Sequence, residues 1–242
     1  MKSIANCKEC VILFLSLLTF SLYSQSNVIV NGDFETGDLS GWTSMTFGSA
    51  LGWNINDGTY TGGCVSIGPL ANRPPIAGNF DIISDQRANG MNLVSTGFIV
   101  PDFYTSASIS WDMMYDNSFS IGMPKFQDPN QEFRVVILDA AMMPIDTVWS
   151  TDPGDPDQVL SVMTVSEAIS EQLIGREGQM IYLLLQEDDN LGCFNVAVDN
   201  VSLIFSQAAI PTLSQWGILI LSLFLSIIGI SSLKYYGREV FN

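Results

Sequence analysis

"FNVAVDNVSLIF" (residues 194–205) alternates apolar and polar positions, but the alternation slips midway. Val196 and Val198 share one face, Asp199 and Asn200 interrupt it, and Val201 and Leu203 resume one residue out of phase. Strict alternation marks a half-buried strand, because successive side chains of a strand point to opposite faces. A slip inside such a strand predicts a bulge at Asp199 and Asn200, where one extra residue returns the apolar set to the core.

The same texture extends outward. "ISWDMMY" (109–115) sends Ile109, Trp111, Met113 and Tyr115 one way and Ser110 and Asp112 the other. "EFRVVILDA" (132–140) is apolar on both faces, as a central strand between layers should be. "DTVWS" (146–150) and "MIYLLLQ" (180–186) read as further strands, and "TDPGDPDQ" (151–158) as a turn set by Pro and Gly. Helical spacing occurs at 166–174, through Ala168, Ile169 and Leu173, with Gly175 as the stop. The acidic run "QEDDN" (186–190) could hold a cation, but it reads as a solvated loop joining the last two strands. Many short strands separated by Gly, Pro, Asn and Asp define an all-β class, a jelly-roll β-sandwich.

Charge and composition exclude several functions. The chain has 9 basic and 25 acidic residues, no histidine, and a net charge of −16. Between residues 27 and 209 the only bases are Arg73, Arg87, Lys125, Arg134 and Arg176, while every acid except Glu9 and Glu239 falls there. No basic patch can form to follow a phosphate backbone, so nucleic acid is not a partner. Without histidine, Ser-His-Asp, Cys-His and HExxH chemistries are excluded. Paired carboxylates could still serve glycoside hydrolysis, but among so many acids a pair identifies nothing, and the domain is not read as an enzyme.

Both ends carry processing signals. Lys2 and Lys8 precede an apolar run from Val11 to Leu22, with small residues at Ser24 and Ser26. This layout predicts a signal peptide over 1–26, which takes Cys7 and Cys10 away with it. The remaining cysteines, Cys64 and Cys193, are expected to pair in an oxidising compartment. Trp216 to Leu233 is uncharged and is followed by Lys234 and Arg238. It predicts a membrane-spanning helix at 218–233, a cytoplasmic tail at 234–242 and the 27–205 domain outside the membrane.

Two resemblances refine this reading. The opening "NVIVNGDFETGDLSGWT" (27–43) and the closing "NVAVDNV" strand resemble the galactose-binding-like β-sandwich of bacterial carbohydrate-binding modules. Val28 and Val30 would alternate into the core, Gly32 and Gly37 would permit tight turns, and Trp42 would anchor the loop. The resemblance implies a structural calcium shared by Glu35 and Asp199, with carbonyls near Asp33 and Gly52. It also implies a non-catalytic domain. Glycan binding needs exposed aromatic faces for stacking, and Trp53, Tyr60, Tyr104, Phe126 and Trp149 are the candidates, whereas Trp111 belongs to the core.

Linker 206–217 contains "IPTLSQWG": Ile210, Pro211, Thr212, Leu213, Ser214, Gln215, Trp216 and Gly217. With the apolar stretch and the basic residues behind it, this resembles the IPTL-CTERM sorting signal, a relative of PEP-CTERM signals. Gln215 stands where that family usually has Glu, and Glu239 sits within a thin basic cluster. The resemblance implies an exosortase-type transpeptidase as partner in a Gram-negative bacterium. It implies export, an inner-membrane intermediate, and then the cell surface or an extracellular matrix, where polysaccharide is a candidate ligand. Pro211 keeps the octapeptide extended, a form that an enzyme can grip. The rival readings are a permanently anchored adhesin or carbohydrate-binding module with an uncut tail and, more remotely, a glycoside-acting enzyme.

Overall fold

Asp81–Ile99, the longest strand, belongs to both layers of the protein. The computed structural model describes residues 25–120 and 124–207, with 218–220, 222–223 and 225–227 beyond them. In chain order the strands are β1 (Gln25–Asn27), β2 (Thr43–Asn56), β3 (Asp81–Ile99), β4 (Ser106–Asp116), β5 (Gln131–Leu138), β6 (Pro144–Ser150), β7 (Gln158–Ala168), β8 (Met180–Asp189) and β9 (Asn195–Ser206). Residues 90–99 of β3 pair with β8, whereas Ile82 and Ile83 pair with β9. β2 follows β3 from end to end. One layer therefore runs β6-β5-β8-β3-β2 and the other β2-β3-β9-β4-β7, with β1 added to β9.

The corner where β2 and β3 change layers is built from small residues. The β2–β3 register shifts twice between Gly48 and Gly52. A Cβ on Gly90 would lie 2.5 Å from the Ala50 amide nitrogen, so only glycine lets the two backbones cross there.

The two inner faces fill the core by alternation. Phe133, Val135 and Ile137 of β5 meet Ile109, Trp111 and Met113 of β4 and Val196, Val198, Val201 and Leu203 of β9. β5 lies between β6 and β8 and is apolar on both faces, as its sequence requires. Its outward residues Val136 and Leu138 join Leu184, Leu93 and Tyr182 in a second cluster. A third, of Val65, Leu70, Ile83 and Ala197, forms where the β2–β3 connection covers the outside of the other layer.

The phase slip in β9 is a bulge. Asp199 faces Asp112 and Ser202 faces Ser110, so Asn200 and Val201 together oppose Trp111. Asn200 takes φ 51° to accommodate it. The bulge projects the Val201 backbone toward the opening turn, where the Val201 N–H donates to the Gly32 carbonyl at 2.8 Å. A Cβ on Gly32 would sit 2.0 Å from the Val201 oxygen. Gly32 is thus required by backbone approach, whereas Gly37 supplies a left-handed φ of 72°.

Two expectations need correction. Val30 does not enter the core: it is 63% exposed, and Ile29 is the buried residue. β1 ends at Asn27, and the chain then turns through Asn31 and Phe34 at φ 50° and 52°, so strand alternation no longer applies. The 166–174 segment is mostly not helical. β7 continues to Ala168, and only Ser170–Leu173 is α-helix (α1). Pairing of Ser166 with Ser110 and of Ala168 with Ser108 overrides the weak helical pattern.

Gly32→Ala should cost about 2–3 kcal/mol, the scale of forced overpacking against an immobile neighbour. Urea unfolding of the variant beside the parent protein measures it.

Candidate functional site

The opening turn is a self-supporting unit. The Asn31 side-chain amide donates to the carbonyls of Asp38 and Ser40 at 3.0 and 3.2 Å. Asp38 accepts the Ser40 N–H and the Thr36 hydroxyl. Trp42 is buried against Phe34 and donates its indole N–H to the carbonyls of Val30 and Asn31, both at 3.1 Å. This explains why the motif needs Asn31, Phe34 and Trp42 together.

Glu35 and Asp199 meet through a third segment, residues 75–80. Glu35 Oε1 accepts the N–H groups of Asn79 and Phe80 at 2.7 and 3.0 Å, and its Oε2 accepts the Asn79 side-chain amide. Asp199 Oδ2 accepts the Ala77 N–H at 3.0 Å and its Oδ1 the Asn200 N–H. Asp81 takes the Ile76 N–H at 2.7 Å and pairs with the buried Arg73. Three carboxylates thus hold one loop by its amides. Glu35 Oε2 and both Asp199 oxygens each accept a single N–H and keep a second lone pair that a shared calcium would take. Among the described residues, no three His, Cys, Asp or Glu side chains gather as a metal site.

The two acids titrate in opposite directions. The Asn79 and Phe80 donors hold the exposed Glu35 carboxyl below its ordinary value. Burial pushes Asp199 up to about 7, aided by the charges of Asp81 and Asp112 and opposed by the Asn200 and Ala77 donors.

Cys64 and Cys193 are joined in a disulfide with Cα atoms 5.2 Å apart. It ties the β2–β3 connection to the turn before β9. Beside it Asp85 accepts the Tyr60 hydroxyl at 2.9 Å and the Gln86 N–H at 2.7 Å. Tyr60 and Phe80 border an open cavity of about 610 Å³, also lined by Asp57, Thr59, Thr61 and Gly37. Of the five candidate stacking aromatics, only Tyr60 lines this cavity. Trp53 and Phe126 are buried, and Trp149 packs on Trp111 and Phe133. Tyr104 packs edge-on against Phe205. Phe80 lies where no strand pattern marks it; its N–H is held by Glu35 and its ring packs over Gly37.

The acidic run 186–190 is not a solvated loop. It is the end of β8, and Glu187, Asp188 and Asp189 are all buried. Alternation sends Asp188 outward, where Arg134 binds it at 2.6 Å and also reaches Glu132. Glu187 and Asp189 point into the sandwich. The donors that permit this burial, Asn92, Gln131 and Gln86, are remote in the chain, so the acidic run itself carries no mark of it.

The expected signal peptide at 1–26 and the motif Ile210 to Gly217 lie, but for Gln25 and Ser26, outside the described residues. So do most of the apolar stretch and the 234–242 tail. The described parts of 218–227 are helical, and among the described residues no helix is long and apolar enough to cross a membrane. Ile218, Leu219 and Ile220, about 100° apart around a helix, are all exposed. Ser222 and Ser226 turn their hydroxyls onto the helix's own carbonyls at 2.8 and 2.7 Å.

The fold and tail define the class: an all-β sandwich followed by a sorting signal. Residues 208–234 match the IPTL-CTERM motif. No characterised protein matches the chain in sequence. Among solved structures the chain is similar to the carbohydrate-binding module CBM27-1 of Caldicellulosiruptor saccharolyticus in complex with mannohexaose, at 13% identity and TM-score 0.46, over 74% of this chain and 96% of that one. It is similar to the K3 adhesin domain of Lys-gingipain from Porphyromonas gingivalis, at 12% and 0.46, over 75% and 99%. It is also similar to the Stig cyclase Fisc of Fischerella sp. TAU, at 16% and 0.46, over 77% and 100%. These distant likenesses span binder, adhesin and enzyme, so function is argued from this chain's own residues.

Because Asp199 is raised above its ordinary 3.8, the folded state keeps that proton between about pH 4 and 7 while the unfolded chain releases it. Its contribution to stability is full below about pH 4 and declines as pH rises through 7. Asp199→Asn should flatten this decline, read as the difference in urea midpoint between variant and parent at pH 4, 5.5 and 7.

Proposed function

We propose that this is an exported, non-catalytic β-sandwich delivered by its C-terminal signal to the cell surface or extracellular matrix, where it binds glycan. The match of residues 208–234 to the IPTL-CTERM motif carries the delivery half of this reading. The motif directly precedes an apolar stretch and a basic tail, and the acidic domain precedes the motif. An exosortase-type transpeptidase is the proposed partner, cutting near 210–217 once the membrane helix has paused the chain.

The Tyr60–Phe80 cavity supports the binding half. Its aromatic walls suit stacking on a pyranose ring, and Asp57, Thr59 and Thr61 offer partners for hydroxyls. Glu35, Asp81 and Asp199 are engaged in holding one loop by its amides, which favours binding over hydrolysis.

Mass spectrometry of the mature protein should find a C-terminus within or near 210–217. An intact 234–242 tail would instead mark a permanently anchored adhesin or binding module. On a glycan array, the exported protein should select a subset of polysaccharides. Phe80→Ala should weaken that binding at least tenfold, while Tyr60→Phe, which keeps the ring, should retain most of it. Uniform absence of binding would leave a structural role in the matrix.

A further inference from the structure

The cavity beside Tyr60 and Phe80 is one-sided in charge. Its lining includes Asp57 and no Lys or Arg. Two more carboxylates hold its aromatic walls: Asp85 accepts the Tyr60 hydroxyl, and Glu35 accepts the Phe80 N–H. Among the described residues, Arg73, Lys125 and Arg134 pair with other acids, and Asp57, Asp85 and Glu35 form no ion pair. Asp57 is exposed, and the Thr59 hydroxyl and N–H hold its carboxyl below its ordinary value, so its charge is present at neutral pH.

The cavity is equally one-sided in hydrogen bonding, because its hydroxyl donors are already engaged. Thr59 gives its hydroxyl proton and its N–H to Asp57 Oδ1, at 2.6 and 3.0 Å. Tyr60 gives its proton to Asp85 Oδ2 at 2.9 Å, and burial together with Asp85 raises the phenol, so that proton stays. Gly62 keeps this pair in place, since a Cβ there would collide with both the Tyr60 hydroxyl and the Asp85 carboxylate. Toward the cavity remain the second oxygen of Asp57 and the hydroxyl oxygens of Thr59 and Tyr60, all acceptors. Thr61 supplies the remaining hydroxyl of the lining.

A ligand is therefore selected by what it donates. A carboxylate or sulfate sugar would set acceptors and negative charge against the same. A neutral sugar hydroxyl donates once and carries no charge. An ammonium donates three times, carries the charge these carboxylates lack, and is attracted to aromatic faces.

We infer that the Tyr60–Phe80 cavity selects cationic amino sugars, glycan units bearing a free amine, with the ring on the aromatic walls and the ammonium on Asp57. This inference rests on the glycan-binding reading of the cavity and names the sugar class it takes. A lysine side chain offers the same ammonium but no pyranose face for Tyr60 and Phe80 to stack on.

The test is calorimetric titration of the full exported protein at physiological salt, where distant exposed charges are screened. The probes are oligomers of equal length: β-1,4-glucosamine, its N-acetylated counterpart, β-1,4-glucose and α-1,4-galacturonic acid, with oligolysine as the cation that is not a sugar. The glucosamine oligomer should bind at least tenfold more tightly than the N-acetylated and glucose oligomers, and the galacturonic acid oligomer should not bind. Asp57→Asn, which keeps an acceptor for Thr59, should erase that preference. Asp102→Asn, which removes an equal, exposed charge outside the cavity lining, should leave it intact. A neutral or acidic oligomer binding as tightly as glucosamine overturns the inference while glycan binding stands. Oligolysine binding as tightly as glucosamine, or Asp102→Asn erasing the preference as fully as Asp57→Asn, also overturns it, reducing the effect to net charge. If no sugar oligomer binds, this inference and the glycan-binding reading fall together.

Discussion

The carboxylate of Asp189 is the point at which the two layers, the disulfide and the loops are referred to one another. Its Oδ1 accepts the N–H groups of Leu191 and Gly192, each at 2.8 Å, and the Gln131 side chain at 2.9 Å. Its Oδ2 accepts the Phe194 N–H at 2.8 Å and the Gln86 side chain. Asp189 ends β8, Gln131 begins β5, Gln86 lies on β3, and Phe194 leads into β9. One side chain therefore fixes the turn that carries the chain from one sheet to the other. Burial raises its proton affinity while these donors oppose that shift.

Much else follows from that turn. Cys193 sits inside it at φ 60°, which aims its sulfur at Cys64. The Cys64 N–H returns to the Gln86 carbonyl at 2.8 Å, closing the circuit onto β3. With the β2–β3 connection pinned, Tyr60 is held over Asp85 and Phe80 over Gly37, and the cavity takes its shape. β9 then runs back to its bulge, where Gly32 and Asp199 tie it to the opening turn. The domain thus needs no large helix to brace it. The sandwich is held instead by a disulfide and by carboxylates on backbone amides.

The layers were legible in the sequence because they rest on alternation. Ile109 to Tyr115, the two-faced β5 and the slip at Asp199 and Asn200 each state which residues face the core. The opening turn was legible as a pattern, yet the jobs of its residues were not. Gly32 looked like a turn residue but is needed for backbone approach, and Val30 looked buried because alternation was extended past the end of a strand. The acidic end of β8 misled most. Acids in sequence read as solvated, and only three-dimensional pairing reveals that Asn92, Gln131 and Arg134 stand ready to take them inside. The same reason hid Phe80 from the cavity and hid the buried state of Trp53 and Phe126.

The most direct test replaces Asp189 by Asn, a change of nearly equal shape that turns an acceptor toward the five donors as an amide. With the disulfide intact, urea unfolding should show a loss of about 2–4 kcal/mol, the scale of leaving buried donors without an acceptor. Amide exchange should accelerate at Leu191, Gly192 and Phe194 before it does elsewhere. A variant within about 0.5 kcal/mol of the parent, with those three amides still protected, would contradict the claim that this carboxylate sets the fold.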